Sequence, residues 1–364
     1  MTEPDFITRD PAALTAELIA GWEAMTGKTL YPAQVERLLI DLIGYRESLV
    51  RIGIQEAAKL NLVAFSRYPM LDELGKLVGT VRLPGQAART LLRFSLAQPA
   101  AAAVTIPAGT RASGGGAEFA TDTAAVIAVG AAAVEVLATA TTTGGSGNGV
   151  DAGAVTTLID LPGLGLTVTS LAVSAGGLAA EDDERLRSRI LLAPEHFAVA
   201  GPRQAYRYQV LSLRQDVADV GVTSPAPGRV NVYPLLSSGL PDAALLTAAA
   251  AVLNAEAVRP LTDWVTVAAP TRVPYAVAVT LLGTQGADQA AVTAAVQASL
   301  TAFAGRLRAT LGRDLVPSQW AERAQRVSGV YSVTVGSPAA RVLAANEWAD
   351  CTGVTVVWGG YGDD

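Results

Sequence analysis

The sequence predicts a multi-domain α+β protein with a long-helix region at its N-terminus, a β-rich sandwich-like middle module and C-terminal α+β layers. Three observations predict this. Apolar residues recur at helical spacing through residues 1–83, strand-like segments separated by Gly-rich turns fill residues 84–177, and strand and helix patterns alternate from there on. With 364 residues, and about 150 residues per domain, the chain has room for two to three domains.

The N-terminal region predicts two long helices and a short one. Asp10 can cap a helix that Pro11 begins, and a second helix is expected to start at Pro32 and to continue to about Phe65. Leu38, Leu42 and Leu49 belong to the apolar pattern of this second helix. Helices of that length in a small region are usually bundled with others. A short helix over residues 71–78 ends before Gly79.

The middle module is defined by an abrupt change in charge. Residues 112–180 contain no Lys or Arg, and Val, Thr, Ala and Gly dominate. Short strands at regular spacing are typical of a β-sandwich or a barrel-like module. The predicted strands cover residues 91–95, 104–106, 125–129, 134–139, 155–158 and 166–168, with a turn at Ser113 to Gly116 and another at Gly144 to Gly149.

The C-terminal half alternates helices and strands. An acidic run, Glu181 to Glu184, precedes a helix, and Gly201-Pro202 is expected to begin another. A hairpin at residues 217–235, a helix at 243–257 and a strand at 264–268 follow, and then strands at 275–282, 330–335 and 354–358 with helices at 287–311 and 318–327. This order favours α+β layers over a doubly wound parallel sheet. The predicted domains are residues 1–83, 84–177, 178–270 and 271–364.

Composition excludes several classes of protein. The net charge of −6 argues against nucleic-acid binding, and no run of residues suits a membrane span or a secretory signal. A single Cys excludes an intrachain disulfide and a thiolate zinc site, and a single His leaves little for a metal site. Charged residues are 16% where about 25% is usual, and mean hydropathy is +0.33, so most of the chain is expected to be ordered.

The residues that could carry chemistry favour structural interpretations. Glu181 to Glu184 fit a solvated helix start, in which Glu181 and Asp183 face Arg185 and Arg187. The Gly144 to Gly149 loop lacks the Lys of a phosphate-binding loop. His196 has no nucleophile elbow to serve, and acidic neighbours make Cys351 an incidental thiol. We therefore expect no catalytic residue, no metal and no cofactor.

Basic residues are mostly arginine. Only three of the 27 are Lys, and Arg suits buried or interfacial ion pairs better than Lys does. Genomic base composition is an equally good explanation, since it also favours Ala and Gly.

An ordered series of segments resembles the baseplate J family of contractile-tailed phages. The series begins with Leu71-Asp72-Glu73-Leu74-Gly75 and Arg82-Leu83-Pro84-Gly85, and continues with Ile106-Pro107-Ala108-Gly109-Thr110, Gly147-Asn148-Gly149-Val150, Gly176-Gly177, Glu181 to Ile190, Gly201-Pro202, Pro227-Gly228-Arg229 and Arg259-Pro260-Leu261-Thr262-Asp263. Each segment is common by itself, but the order over residues 71–270 is specific.

The resemblance implies a structural wedge protein of a baseplate that performs no covalent chemistry. The implied partners are further copies of the same chain in a ring, a smaller wedge protein, a sheath initiator, the hub and spike, and the tail-fibre network, with neither nucleic acid nor membrane among them. The implied location is the tail baseplate of a virion or a tail-like particle, after synthesis in the bacterial host cytoplasm. The candidate interaction residues are Leu38, Leu42, Leu49, Leu71, Asp72, Leu74, Asp183, Glu184, Arg187, Arg259 and Asp263.

Two other functions stay open at the level of sequence. A tail-associated receptor-binding protein would use the middle module. A glycan-degrading tail enzyme would need two carboxylates about 5–10 Å apart, and the candidates in the middle module are Asp122, Glu135 and Asp160.

Overall fold

The chain forms two compact units in a computed structural model that describes residues 2–161, 165–197, 203–256, 258–260 and 262–362, apart from the side chains of residues 196 and 197. The helical unit comprises Met1–Arg82 and Asp182–Leu191, and the β-rich unit comprises Leu83–Glu181 and Leu192–Asp364. The α+β, multi-domain prediction is confirmed. The finer division at residues 84, 178 and 271 stays a prediction.

The helical unit contains α1 (Pro11–Thr26), α2 (Val35–Leu60), α3 (Met70–Leu77) and most of α4 (Asp183–Leu192). The start of α1 is as predicted, because the Asp10 carboxylate accepts a hydrogen bond of 3.0 Å from the Ala12 N–H and Pro11 is the first helical residue. Gly27 ends the helix with φ 68°, a conformation that glycine adopts without strain.

The second helix is shorter at both ends than the sequence predicts. A turn precedes it, in which the Gln34 N–H donates to the Tyr31 carbonyl and the Tyr31 N–H donates to the Gln34 side chain. At the other end, the Asn61 side chain donates to the Ala57 carbonyl, and the Phe65 N–H donates to the Leu62 carbonyl in a new turn. At 1.5 Å per residue α2 is about 39 Å long.

The β-rich unit begins with a barrel. Its sheet has six strands in the order β7-β3-β4-β6-β1-β8, and β2 pairs with β5 beside it. The eight strands are β1 (Ala87–Leu96), β2 (Val104–Ile106), β3 (Arg111–Gly114), β4 (Ala117–Thr121), β5 (Ala125–Ile127), β6 (Ala133–Thr143), β7 (Val155–Leu158) and β8 (Leu166–Ser170).

The sheet curls into a nearly closed barrel, so the sandwich-like description of the middle module is wrong and the barrel-like alternative is right. The two edge strands approach each other where the Gly153 N–H donates to the Ser170 carbonyl at 2.7 Å. One apolar core fills the interior, with Leu92, Phe94 and Phe119 fully buried. One curled sheet therefore surrounds the core, where a sandwich would have two facing sheets.

Two strands of the barrel, β3 and β4, were not predicted. They form a hairpin in which Gly114 pairs with Ala117 across the two-residue turn Gly115-Gly116, whose φ angles are 58° and 82°. Two positive φ angles define the hairpin turn that suits the twist of paired strands. Alanine and glycine have low strand propensity, which hides both strands from a reading of composition.

A three-stranded sheet follows, made of β9 (Val217–Ala226), β10 (Arg229–Leu236) and β11 (Trp264–Val267). The predicted hairpin is confirmed, since β9 and β10 are antiparallel, and β11 is parallel to β10. α5 (Arg203–Leu211) and α6 (Ala243–Leu253) pack on the same core. The predicted start of α5 at Gly201-Pro202 lies outside the described residues.

The last sheet has the order β13-β12-β14, with β12 (Thr271–Gly283), β13 (Val330–Ser337) and β14 (Glu347–Tyr361). β14 is much longer than predicted because it runs parallel to β12 from its first residue, where Glu347 pairs with Thr271. α7 (Gln289–Arg308) and α8 (Pro317–Gln325) pack on this sheet, and Trp320 is fully buried between them. In the described part of the chain, no helix is long and apolar enough to cross a membrane.

Candidate functional site

The buried stripe of α2 is small and polar. Among its residues only Ile40 is a buried apolar side chain, and the other buried positions are Gly44, Ser48 and Gln55. A helix of a self-contained domain buries its apolar face. In α2 the buried face is mostly polar or small, and the large apolar side chains are exposed.

Close backbone approach explains why the stripe is small. A Cβ atom at Gly44 would lie 3.2 Å from the Thr15 hydroxyl oxygen and 3.5 Å from the Leu18 side chain. The glycine therefore lets α1 pack directly against α2. Further along, the Gln55 side chain accepts a hydrogen bond from the Phe6 N–H at 2.9 Å and donates to the Pro4 carbonyl at 2.6 Å. The N-terminal segment thus covers the polar part of the stripe.

The other sides of α2 are apolar and exposed. Leu38 is 67% exposed, Leu42 58% and Leu49 43%, and these are the three leucines named from the helical pattern. The remaining exposed large apolar residues of the helix are Val35, Leu39, Ile43, Tyr45, Val50, Ile52 and Ile54. We call these ten residues the α2 apolar surface. An exposed apolar surface of this extent is typical of an interaction site.

A second group of predicted residues forms a cluster around Arg82. The Arg82 guanidinium lies 2.5 Å from one Asp72 oxygen and 2.6 Å from one Asp183 oxygen, so it bridges α3 and the start of α4. The Asp183 carboxylate also accepts a hydrogen bond from the Tyr68 N–H. Two motifs that are about one hundred positions apart in the chain meet here.

The electrostatics of the cluster favour charge on both partners. Partial burial works to raise the pKa of Asp183, but the hydrogen bonds from Arg82 and from the Tyr68 N–H outweigh it, and the pKa lies below its usual value. The hydrogen bond to Asp72, followed by the one to Asp183, raises the pKa of Arg82. The pair is therefore fully ionised at neutral pH, which fits a structural bridge.

Residues of α4 complete the cluster. The Arg187 side chain donates to the Val63 carbonyl at 2.8 Å and to the Ser66 carbonyl at 2.7 Å, and it pairs with Glu184 at 2.5 Å. Arg187 was expected to pair with Asp183. That expectation is wrong, because Asp183 faces Arg82 and Arg187 points to backbone carbonyls.

An apolar core underlies the cluster. Leu71 is fully buried with Leu186 and Ile190, whereas Leu74 is half-buried. A Cβ atom at Gly75 would lie 2.6 Å from the Thr80 carbonyl oxygen, so glycine is required where the chain after α3 folds back against that helix. Among the candidate residues, Leu71 is thus part of the core of the unit. Asp72 and Asp183 form ion pairs with Arg82 at the surface of the same unit.

The last two candidates, Arg259 and Asp263, lie in the β-rich unit before β11. The Asp263 carboxylate accepts a hydrogen bond of 2.5 Å from the Tyr206 hydroxyl. Burial, and then this hydrogen bond, raises the pKa of Tyr206. The Arg259 side chain is half-buried. The hydrogen bond between Tyr206 and Asp263 therefore connects α5 to the residue that precedes β11.

The acidic run at residues 181–184 is only partly a solvated helix start. Glu181 is 4% exposed, and its carboxylate accepts a hydrogen bond from the Leu83 N–H at 3.0 Å, while the Glu181 N–H donates to the Leu83 carbonyl. The expectation of a solvated side chain is therefore wrong for Glu181. A backbone partner nearly one hundred positions away compensates its burial.

The Gly-rich turn at residues 144–149 has a structural role. The Asn148 side chain donates to the Gly177 carbonyl and accepts from the Gly177 N–H, both at 2.8 Å. A Cβ atom at Gly177 would lie 2.3 Å from the Gly144 carbonyl oxygen, which explains a glycine there. Two further segments of the resemblance thus meet in space.

The acids proposed for a glycan-degrading enzyme are engaged in the barrel. Asp160 pairs with Arg111 at 3.0 Å, which lowers the pKa of Asp160. A general acid needs a raised pKa. The Asp122 carboxylate accepts a hydrogen bond from the Thr139 hydroxyl, and Glu135 lies opposite Arg93 on the neighbouring strand.

The two residues considered as nucleophile or base add no site. Cys351 lies in β14, half-buried, with its thiol directed to the Gly353 carbonyl at 3.4 Å. The side chain of His196 lies outside the described part of the chain. The sequence does not predict Arg82, the centre of the cluster, as a site residue, although it belongs to the segment Arg82-Leu83-Pro84-Gly85, which resembles the baseplate J family.

Three domain families match the β-rich unit in sequence. The Baseplate J-like protein barrel domain matches residues 91–177, the Baseplate J-like central domain matches residues 198–269, and the Baseplate J-like protein C-terminal domain matches residues 275–357. Together they span well over half of the chain, and the first coincides with the barrel.

Two proteins that are similar to this chain also come from baseplates. Baseplate protein J of Escherichia phage P2 is 36% identical over 183 residues, which are 50% of this chain and 60% of that protein. A chain in the cryo-EM structure of the anti-feeding prophage baseplate has the same fold, with a TM-score of 0.52 and 14% identity over 93% of this chain and 90% of that chain. The aligned region spans less than two thirds of the phage P2 protein. On the matches to the three domains, this chain belongs to the baseplate J-like protein family.

Proposed function

We propose that this chain is a structural wedge protein of the baseplate of a contractile phage tail or a tail-like injection machine. In this role it links the hub and the sheath initiator to the peripheral baseplate and the tail-fibre network. It is made in the bacterial host cytoplasm and then built into the particle. The α2 apolar surface carries the proposal, because a helix with exposed apolar sides and a polar buried stripe is suited to join helices of other chains.

The partner proposed for α2 is the smaller wedge protein. Leu38, Leu42 and Leu49 lie on one 26-residue helix and are all exposed. Helices that bury such residues against each other form bundles. Obligate interfaces are more apolar than free surfaces, which also accounts for the low charge of this chain.

Several copies of the chain are proposed to surround the hub as a ring. The anti-feeding prophage baseplate, whose chain shares this fold, was symmetrised with 6-fold symmetry, which supports a ring. The proposed mechanism is mechanical. Wedges hold the sheath extended, and their rearrangement on surface contact releases contraction, as at other two-state interfaces between rigid domains.

Co-expression with the smaller wedge protein tests the proposal. The variant Leu38→Gln/Leu42→Gln/Leu49→Gln keeps helix propensity but removes apolar surface, so we expect it to lose the complex in size-exclusion chromatography. The matched control replaces three exposed apolar residues outside α2, Leu77, Val129 and Val342, with Gln. The control should elute as the wild-type complex. A complex that survives the α2 substitutions would refute the proposed interface.

A further inference from the structure

A cleft of about 420 Å³ lies beside the end of α7 and the start of α8 in the β-rich unit. Three arginines line it, Arg306, Arg313 and Arg323, together with one carboxylate, Asp314. The rest of the lining includes the apolar side chains of Leu307 and Val316. The charged lining is therefore net positive in a chain whose net charge is −6.

These three arginines form no ion pair with the described residues. Other arginines of the same layer do form them: Arg308 pairs with Asp350, Arg326 with Glu322 and Arg341 with Glu347. The Asp314 carboxylate is already used, since it accepts a hydrogen bond from the Leu343 N–H at 2.8 Å. Asp314 offsets one of the three positive charges, so the lining keeps a net positive charge that no ion pair with the described residues balances.

Aromatic packing orders two of the three guanidinium groups. The Cζ atom of Arg323 lies 4.2 Å from the centre of the Phe303 ring, and the Cζ atom of Arg306 lies 5.9 Å from it. Phe303 is itself fixed by an edge contact with buried Trp320 at 4.6 Å between ring centres. Stacked arginines lose little conformational entropy on binding, because the ring already orders them.

One donor of the cleft is buried without a protein acceptor. The Nε atom of Arg323 is inaccessible and makes no hydrogen bond with the described residues. Buried polar groups in folded proteins nearly always have a partner. An anionic group in the cleft would balance the charge of this guanidinium.

We propose that this cleft binds a carboxylate side chain from a short acidic segment of a neighbouring protein in the assembly. Guanidinium groups recognise carboxylates by paired hydrogen bonds. Leu307 and Val316 favour an aliphatic stem beside the carboxylate, as in glutamate. The size of the cleft suits one or two side chains, and the acidic chain around it disfavours the extended polyanion of a nucleic acid.

The inference deepens the proposed role in a baseplate and rests on it for the identity of the neighbour. Its test does not require assembly. If the chain binds the acidic peptide but forms no wedge complex, the proposed cleft stands and the proposed function is refuted. If the chain forms the complex but does not bind the peptide, the proposed function stands and the proposed cleft is refuted.

The test is a titration of the full chain, labelled with ¹⁵N in its arginines, with a peptide of alternating leucine and glutamate. We expect the Nε–Hε signals of Arg306, Arg313 and Arg323 to shift. The same peptide with glutamine for glutamate and a single-stranded DNA oligonucleotide serve as competing probes. We expect both to leave these three signals unchanged at the same concentration.

Two variants locate the site. Arg306→Gln/Arg313→Gln changes exposed side chains only, so it preserves folding, and Arg323→Gln removes the stacked guanidinium. We expect each to bind the acidic peptide about ten-fold more weakly, since charge-assisted hydrogen bonds are lost. Arg326→Gln, outside the cleft, should bind as the wild type. Absence of binding by the wild type, equal shifts with the glutamine peptide or DNA, or an equal loss in Arg326→Gln would each overturn the proposal.

Discussion

Arg82 and Asp183 form an ion pair of 2.6 Å although 101 positions separate them in the chain. Arg82 also holds Asp72, so one guanidinium connects α3 with the beginning of α4. The sequence between them contains the whole barrel. The pair therefore joins the two chain segments of the helical unit, which the barrel separates in sequence. It holds the first residue of α4 against the end of the first segment.

The first prediction concerns this bridge. Arg82→Gln removes the cation that bridges Asp72 and Asp183, so we expect a loss of about 1–2 kcal/mol in the free energy of unfolding. That figure lies below the cost of breaking a fully buried pair because the site is partly solvated. Urea titration followed by circular dichroism measures it.

Arg326→Gln is the matched control for Arg82→Gln. Its ion pair with Glu322 lies within one helical turn on the surface, and such pairs contribute about 0.3–0.5 kcal/mol. Equal destabilisation by the two substitutions would contradict a specific role for the bridge.

The second prediction concerns pH. The pKa of Asp183 is lowered in the folded chain, so its contribution to stability is present above the unfolded value of about 3.9 and is lost as pH falls through the folded value. We expect Asp183→Asn to be less stable than the wild type at neutral pH. The difference should shrink below about pH 4, because protonation then removes the same interaction from the wild type.

Urea titrations of both proteins between neutral and acidic pH measure this difference. Glu184→Gln serves as a control, since Glu184 is an acid of the same helix whose side chain is 87% exposed. A difference between Asp183→Asn and wild type that stays constant with pH would contradict the prediction.

Local signals predicted much of the fold, and long-range contacts limited the rest. Asp10 and Pro11 identify the start of α1, and the α2 leucines follow from periodicity alone. The exposure of those leucines did not follow, because apolar periodicity marks a stripe without saying whether its partner belongs to the same chain. Likewise, nothing near Arg82 in sequence indicates Asp183, and the acidic pattern wrongly assigned Asp183 to Arg187.

The arginine cleft shows the same limit. Arg306, Arg313 and Arg323 are spread over two helices and a loop, so no motif groups them. High arginine content was visible, but base composition explained it equally well. The fold places all three in the lining of one cleft, where Phe303 packs against Arg306 and Arg323.

The third prediction concerns the hairpin of β3 and β4. A Cβ atom at Gly114 would lie 2.0 Å from the Ala154 carbonyl oxygen, so Gly114→Ala forces the backbone apart. We expect a loss of about 2–3 kcal/mol, as for other overpacked positions. Thermal unfolding monitored by circular dichroism gives the measurement.

Gly53→Ala is the control for the hairpin variant. Gly53 lies in α2 with nothing within 4 Å of an added Cβ, so alanine should stabilise the chain by about 0.5–1 kcal/mol through helix propensity. Two substitutions of the same chemistry thus have opposite signs. A tolerated Gly114→Ala would show that β7 does not pack against β3 as described.

The last prediction concerns the isolated chain. Without a partner, the α2 apolar surface remains in water, and each buried Å² of such surface contributes about 25 cal/mol to association. We expect the purified chain to self-associate as its concentration rises, measured by sedimentation velocity. The Leu38→Gln/Leu42→Gln/Leu49→Gln variant should remain monomeric to higher concentration, whereas the Leu77, Val129 and Val342 control should behave as the wild type. A wild-type chain that stays monomeric at high concentration would argue that the surface is no interface, because nothing else in α2 shields these leucines from solvent.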